Sequence, residues 1–370
     1  MIVGLFPQLS AAGGVQRASS LTAAVLRSFA VRRGYGCSLL SLNDPPDASP
    51  LRFGSEEIAF TGFGRSKTRF FASALGAAFR QPNLVVALHP HLAPVVAAMK
   101  VCAPRSRAVV FTHGIEVWTP LNPLRRWALQ QSDLVLAPSV DTQRQVVARQ
   151  GVAENKVRRL RWSLGPEFDP SALPCPSCRL PEGFPRGRVI LTVGRWDARE
   201  AYKGVDHLIM ALPALLAELP ELHLVAIGEG TDLPRLERLA RQSGVSKHVH
   251  FLRQMQPEEL SAAYDACELF ALPSRGEGFG LVFLEAMSHR KPVIGGAHGG
   301  TPEIIEEGVS GYLVQHGDVA QLTERLLHLL SDESCRRWMG VQAFERVRSD
   351  FTYARFSAEL TELLENVLAS

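Results

Sequence analysis

Two carboxylates, Glu277 and Glu285, bracket the stretch Ser274-Arg275-Gly276-Glu277-Gly278-Phe279-Gly280-Leu281-Val282-Phe283-Leu284-Glu285-Ala286-Met287. Between them a glycine-rich turn runs into an apolar segment of helical period. Gly278 and Gly280 let the backbone come close to a ligand, and a helix opening behind them aims unpaired N–H groups at it. That arrangement suits a polar, anionic small molecule, with each carboxylate serving a different part of it. If Leu281 to Met287 is helical, a rise of about 1.5 Å per residue sets the two carboxylates roughly 10 Å apart along the axis. They are too far apart to work as an acid and nucleophile on one bond.

A second group lies upstream, in Thr192-Val193-Gly194-Arg195-Trp196 and Tyr202-Lys203-Gly204. Arg195 falls just past an expected strand end, where α/β sheets bind ligands. Lys203 is expected to open the next helix, where a cation opposes the macrodipole unless an anion lies nearby. Together they suit a diphosphate, the Arg as a planar fork and the Lys as a point charge. Near the start, Gly13 and Gly14 in Ser10-Ala11-Ala12-Gly13-Gly14-Val15 stand between a strand and a helix. They offer backbone N–H groups to phosphate, although a tight turn alone would also use glycine. The pattern is not G-x-G-x-x-G, which disfavours a dinucleotide oxidoreductase. His113, after the run Ala108–Thr112 and before Gly114, is placed to reach a ligand or to serve the core. Asp133 reads as a local cap or pair.

Other constellations fail. Cys175-Pro176-Ser177-Cys178 is a lone C-x-x-C without a partner pair, and His89 and His91 straddle Pro90 with no acidic companion. No D-x-D occurs to hold a metal–diphosphate complex, and no Gly-x-Ser-x-Gly elbow is present.

The elements that must position these residues are strands alternating with amphipathic helices. Apolar runs such as Ile2–Phe6, Leu84–Leu88, Val189–Val193 and Leu269–Leu272 are separated by helix-period stretches such as Val15–Arg33 and Val205–Glu218. That order predicts an α/β chain with parallel sheets covered on both faces. A proline-rich break between Ser163 and Gly187 predicts two domains: 1–165, a linker over 166–187, and 188–350. Their ligand crevices are expected to face one another. The last helices have no strand after them and are expected to brace the domains, with 351–370 packing back on the first.

At 370 residues, 46% hydrophobic and 21% charged, the composition is that of a soluble globular protein. No apolar run reaches the roughly 18 to 20 residues of a membrane span. The start, Met1-Ile2-Val3-Gly4-Leu5-Phe6, reads as a strand rather than a signal peptide. Six Cys make no disulfide framework and point to a reducing cytosol. Charge is uneven: residues 1–170 hold 20 Lys+Arg and 10 Asp+Glu, residues 171–370 hold 20 and 27, and the balances of +10 and −7 give the overall +3. A basic half suggests an anionic partner. Gly64-Arg65-Ser66-Lys67-Thr68-Arg69-Phe70-Phe71 suits either an interfacial helix on anionic lipid or a helix with a basic start and a buried face.

On these motifs the chain resembles the retaining glycosyltransferase family 4, nucleotide-sugar enzymes of the GT-B fold. The likeness rests on Glu277-Gly278-Phe279-Gly280 with Glu285-Ala286-Met287, an E-x7-E pattern, and on Lys291-Pro292-Val293-Ile294, Gly299-Gly300-Thr301-Pro302-Glu303 and Gly308-Val309-Ser310-Gly311. Arg195, Lys203, Gly13-Gly14 and Thr112-His113-Gly114 also fall where the family has them. The resemblance implies two Rossmann-like domains facing across a cleft. It implies a catalytic set of Glu277, Arg195, Lys203 and His113. Donor binding would fall to Gly13, Gly14, Arg253, Met255, Gly278, Phe279, Gly280, Leu281, Val282 and Glu285. In it Arg195 and Lys203 hold the donor diphosphate, Glu285 the ribose, and Glu277 and His113 the transferred sugar. Leu252-Arg253-Gln254-Met255 would lie near the base.

It further implies a retaining hexosyl transfer from a UDP- or GDP-sugar to a glycan or lipid-linked acceptor. The setting would be bacterial cell-envelope or exopolysaccharide synthesis, with no metal and no cofactor beyond the substrate. The cysteine usage would place the protein in the cytoplasm, the basic half would bring it to the inner face of the membrane, and nucleic acid is not expected. Two departures stand out: Ser163-Leu164-Gly165-Pro166-Glu167-Phe168-Asp169 at the linker, and Arg290 where the family commonly has Gly. The rival readings are a nucleotide-sugar epimerase or hydrolase on the same fold and a non-catalytic sugar-nucleotide-binding protein. The first would turn over donor alone; the second leaves Glu277, Arg195 and Lys203 without a purpose.

Overall fold

The computed structural model of the chain describes residues 1–10, 13–166, 179–253 and 255–370. The chain divides into two units, residues 1–167 with 352–370, and residues 168–351. Most of the expected proline-rich linker therefore lies outside the described residues.

The first unit is built on a parallel sheet. In chain order its strands are β1 (Ile2–Phe6), β2 (Cys37–Ser41), β5 (Thr61–Gly62), β6 (Leu84–Ala87), β7 (Arg107–Phe111), β8 (Leu134–Ala137) and β9 (Val157–Arg159). They lie in the order β5-β2-β1-β6-β7-β8-β9. Ile2 pairs with both Cys37 and Leu84, so β1 is central, and all five of its residues are buried. A strand covered on both faces reads as an unbroken apolar run, which is why β1 was legible. Between β2 and β5 stands a small antiparallel hairpin, β3 (Leu51–Phe53) with β4 (Glu56–Ile58), which the sequence reading did not anticipate. Two three-residue strands that include Arg52, Glu56 and Glu57 give no alternation long enough to detect.

The helices of this unit are α1 (Gly14–Arg32), α2 (Lys67–Ala78), α3 (Ala93–Cys102), α4 (Pro123–Gln130) and α5 (Val140–Gln150). The C-terminal helix α13 (Tyr353–Ala369) also belongs here. It packs on α1, with Arg33 2.8 Å from Glu365, while Phe356 lies 5.5 Å from the Trp162 ring. Asp133 accepts Lys100 Nζ at 2.6 Å and the Ala108 N–H at 2.7 Å, so its partners are 33 and 25 residues away in sequence rather than local as expected.

The second unit repeats the plan with β10 (Arg188–Val193), β11 (Leu222–Ile227), β12 (Val249–Leu252), β13 (Leu269–Leu272), β14 (Val293–Gly296) and β15 (Gly311–Val314). Their order is β12-β11-β10-β13-β14-β15, with every pair parallel. Its helices are α6 (Val205–Glu218), α7 (Leu233–Gln242), α8 (Pro257–Ala266), α9 (Leu281–Ser288), α10 (Thr301–Ile304), α11 (Val319–Ser331) and α12 (Glu333–Asp350). Strand order reverses between β10 and β13, which opens a crevice at their carboxyl ends. The loops carrying Arg195 and Glu277 leave from those two ends.

Arg290, whose position the family resemblance led us to expect as Gly, takes a left-handed conformation at φ 55°. Its guanidinium lies 4.1 Å over the Phe344 ring, a cation–π contact that offsets part of the strain. Among the described residues no helix is long and apolar enough to cross a membrane.

Candidate active site

In the second unit an ion network gathers at the end of β10. Arg195 donates to Glu200 Oε1 and lies 3.5 Å from Asp197. Lys203 Nζ lies 3.6 Å from Glu200 Oε2 and 3.7 Å from Glu277 Oε1. Glu200 is the hub, with one oxygen toward each cation. Lys203, Glu200 and Glu277 side chains are only 14%, 13% and 14% exposed. Lys203 does not open α6 as the spacing suggested. It ends a 3-10 turn over Ala198–Lys203, and left-handed Gly204 separates it from the helix. The anions that offset its charge are Glu200 and Glu277.

Backbone packing holds Glu277 in place. Its carbonyl accepts the Gly300 N–H at 2.7 Å, and the Arg275 N–H donates to the Tyr202 carbonyl at 2.8 Å. At Gly299, φ is 65° and a Cβ would stand 2.4 Å from the Glu277 carbonyl oxygen, so only glycine lets these loops touch. Gly280 (φ 103°) caps α9, and a Cβ there would strike Phe283 at 2.7 Å. Leu281 and Val282 then open α9 with no side-chain cap. Glu277 Oε1 is buried, charge-paired with Lys203, and without a hydrogen bond among the described residues; Ser274 Oγ and Thr301 Oγ1 are likewise unbonded. Buried oxygens of this kind suit a ligand's hydroxyl groups.

Tyr202 joins this corner. Burial pushes its phenol pKa up and the Glu277 charge adds to that, with Arg195 opposing, so it stays a neutral donor at pH 7. Glu285 is 5% exposed and accepts the Tyr264 hydroxyl at 2.9 Å; the Tyr264 ring stacks on His289. After β12, Arg253 is exposed and Met255 half-buried, while Gln254 lies outside the described residues.

In the first unit Gly13 precedes α1 and Gly14 opens it, and a Cβ on Gly14 would meet nothing within 4 Å. The approach to this turn is tied down by buried Asp44. Its carboxylate accepts the Leu9 N–H at 2.7 Å, the Ser10 N–H at 3.2 Å and the Ser10 and Ser41 hydroxyls. Burial alone would raise the Asp44 pKa, but these hydrogen bonds outweigh it and hold the group below the ordinary carboxylate value.

His113 is part of a ring stack, 5.5 Å from Trp162 at 9° and 5.7 Å from His89 at 25°. Its Nε2 lies 2.6 Å from the Leu88 carbonyl, which can only accept, so Nε2 carries a proton and donates. Its backbone N–H donates to Glu116 at 2.6 Å. Of its two local readings the stack and these hydrogen bonds show the structural one, a side chain packed into the unit.

His89 is driven down to about 2, first by burial and then by His113, His91 and Arg125; burial also lowers His91, His207, His223 and His250. Histidines held neutral in the fold leave stability intact above their unfolded value near 6.5. Below it the unfolded chain binds protons that the fold resists, so stability falls with pH. The slope from His89 alone approaches about 1.4 kcal/mol per pH unit. The melting temperature should drop between pH 7.5 and 5.5, and His89→Gln should flatten that drop. An identical slope in both proteins would contradict the assignment.

The fold thus brings Arg195, Lys203 and Glu277 into one network and sets Glu285 on the helix behind it. Four residues escaped the sequence reading: Glu200, Tyr202, Tyr264 and Asp44. Glu200 left a local signal, as an acid three residues before Lys203, and Asp44 a faint one in Asn43-Asp44-Pro45-Pro46.

Residues 13–161 match the family described as Glycosyltransferase Family 4, and residues 182–346 the family described as Glycosyl transferases group 1. The GDP-mannose-dependent alpha-(1-6)-phosphatidylinositol monomannoside mannosyltransferase of Mycolicibacterium smegmatis is 32% identical over 271 residues, 70% of each chain. Among solved structures, sucrose-phosphate synthase of Thermosynechococcus elongatus superposes with a TM-score of 0.79 at 21% identity, covering 100% of this chain and 99% of that one. Anabaena HepE, solved with UDP, gives 0.72 at 18% identity over 99% of both. The two Rossmann-like units are those of a GT-B glycosyltransferase. The chain belongs to the family 4 type of these enzymes.

Proposed function

We propose that this glycosyltransferase moves a hexosyl group from a UDP- or GDP-sugar to a glycan or lipid-linked acceptor, with retention of configuration and without a metal. The observation that carries the reading is the network itself. Arg195 and Lys203 converge at a sheet's carboxyl end, neutralised for now by Glu200, beside a Glu277 oxygen with no hydrogen bond. A diphosphate would take over the role of Glu200 and face the open start of α9. Glu285 would accept from the ribose, Arg253 and Met255 would border the base, and Glu277 would accept from a sugar hydroxyl. Gly13 and Gly14 would offer N–H groups to phosphate, and His113 would contact the sugar.

In this reading the bond from the anomeric carbon to the leaving phosphate oxygen breaks as the bond to the acceptor oxygen forms on the same face. The acceptor proton passes to the leaving phosphate. Growing charge on that phosphate is what Arg195 and Lys203 stabilise. The mannosyltransferase relative is named for GDP-mannose and a phosphatidylinositol mannoside, and HepE was solved with UDP, which supports a nucleoside-diphosphate donor. The test is thermal stabilisation by UDP-, GDP- and ADP-sugars, since a ligand that binds only the folded form raises its melting temperature. A shift with a UDP- or GDP-sugar is expected; no shift with any of them would remove the proposal.

A peripheral position at the inner face of a cell membrane, in envelope or exopolysaccharide synthesis, is part of the same proposal. Arg65, Lys67 and Arg69 are exposed; Phe70 is buried in an edge contact with Phe63, while Phe71 on α2 is 40% exposed and Phe79, just past its end, is 71% exposed. Cations beside exposed rings suit anionic lipid. Flotation with phosphatidylglycerol vesicles but not with neutral ones is expected, and equal recovery with both would end this part of the reading.

A further inference from the structure

A side-chain cluster outside this network carries an independent inference, which does not rest on the sugar-transfer reading. Helix α11 ends at Ser331 and α12 begins at Glu333, so Asp332 alone forms the corner between them. His328 sits in the last turn of α11, Asp332 caps α12, and Cys335 lies in the first turn of α12. One donor atom from each residue, a ring nitrogen, a carboxylate oxygen and a thiol sulfur, lies within 4.8 Å of the others. We infer that His328, Asp332 and Cys335 form a surface site for a divalent cation of the zinc class.

The donor set decides the metal. Nitrogen, oxygen and sulfur together fit zinc, whereas magnesium and calcium take oxygen alone. Tetrahedral bonds of about 2.0–2.3 Å put ligand atoms roughly 3.3–3.8 Å apart, so closing the cluster needs a small movement. His328 and Asp332 are exposed and can make it.

Two features hold the ligands ready. Asp332 Oδ1 accepts the Cys335 N–H at 2.8 Å, which fixes the carboxylate over the helix start and leaves Oδ2 for the metal. The Tyr312 hydroxyl lies 3.3 Å from His328 Nδ1 and orients the ring, as hydrogen-bond partners of metal-bound histidines do. The position at the end of α11 also favours a cation. With three protein ligands and solvent as the fourth, the metal would clip the α11–α12 corner. Helix α12 packs along α9, the helix that carries Glu285.

The test is titration of the purified full-length chain with Co²⁺ under a phosphine reductant, followed by displacement with Zn²⁺. One equivalent should bind with a thiolate-to-cobalt charge-transfer band, and that band should vanish in Cys335→Ser. His328→Ala, and Asp332→Asn, which keeps a good cap, should each weaken binding on the order of tenfold or more. The Cys175→Ser/Cys178→Ser double variant should bind as the unaltered chain does, since that pair is another thiol group able to mimic the signal. Circular dichroism and melting confirm that each variant folds. The site is overturned if the band is absent, if it survives Cys335→Ser, if it depends on Cys175 and Cys178, or if affinity is indifferent to His328 and Asp332.

Discussion

Lys203→Ala is expected to lower kcat on the order of 100- to 1,000-fold while the donor dissociation constant changes far less. The reason lies in what the lysine already touches. With its side chain 14% exposed and its Nζ 3.6 Å and 3.7 Å from two carboxylates, it is charge-satisfied before any donor arrives. Binding a diphosphate exchanges one anion for another, so the net gain in the ground state is small. As the glycosidic bond breaks, the departing phosphate gains charge that Glu200 and Glu277 do not mimic, and the ammonium then contributes most. Arg195, 69% exposed, keeps its share of ground-state binding. A melting curve separates this effect from the cost of leaving Glu200 and Glu277 facing each other. Equal losses in kcat and donor affinity would sink the assignment.

Glu277→Gln should reduce kcat/KM for the donor sugar by roughly 10- to 150-fold, the worth of about 1.5–3 kcal/mol for a hydrogen bond to a charged group. The amide keeps the volume but loses the charge, and Oε1 is a buried oxygen that lacks a hydrogen bond among the described residues. Because the proposed partner is the sugar, the affinity for the nucleoside diphosphate alone should stay unchanged. A parallel loss of nucleoside diphosphate binding would move Glu277 to the nucleotide end and contradict its role. Glu285, hydrogen-bonded to Tyr264 on α8, should show the opposite pattern, since its proposed partner is the ribose.

Much of the architecture was legible because doubly covered strands are unbroken apolar runs: β1 and β13 begin and end where the sequence suggested. The E-x7-E spacing marked the turn before α9, since glycines followed by helical period have few other uses. What stayed hidden depends on partners distant in sequence. Asp44 acts on Leu9 and Ser10, and Tyr264 meets Glu285 from a different helix. Neither pairing leaves a local pattern. Glu200 reads as a solvated acid until the fold brings Arg195 back to it. Lys203 was misplaced by a short distance because a 3-10 turn and Gly204 intervene before α6, and helix starts are the least periodic part of any helix. The short strands β3, β4 and β5 fell below the length at which alternation can be recognised.

The central claim is that the anion-ready network around Lys203 and Glu277 serves sugar transfer from a nucleoside-diphosphate donor. Its most direct test is proton NMR of the product formed from the stabilising donor and a lipid or glycan acceptor, run in EDTA. The account predicts one nucleoside diphosphate released per glycosylated acceptor, with the donor's anomeric configuration kept. Donor converted to an epimer or to free sugar without acceptor, or a product of inverted configuration, would contradict it.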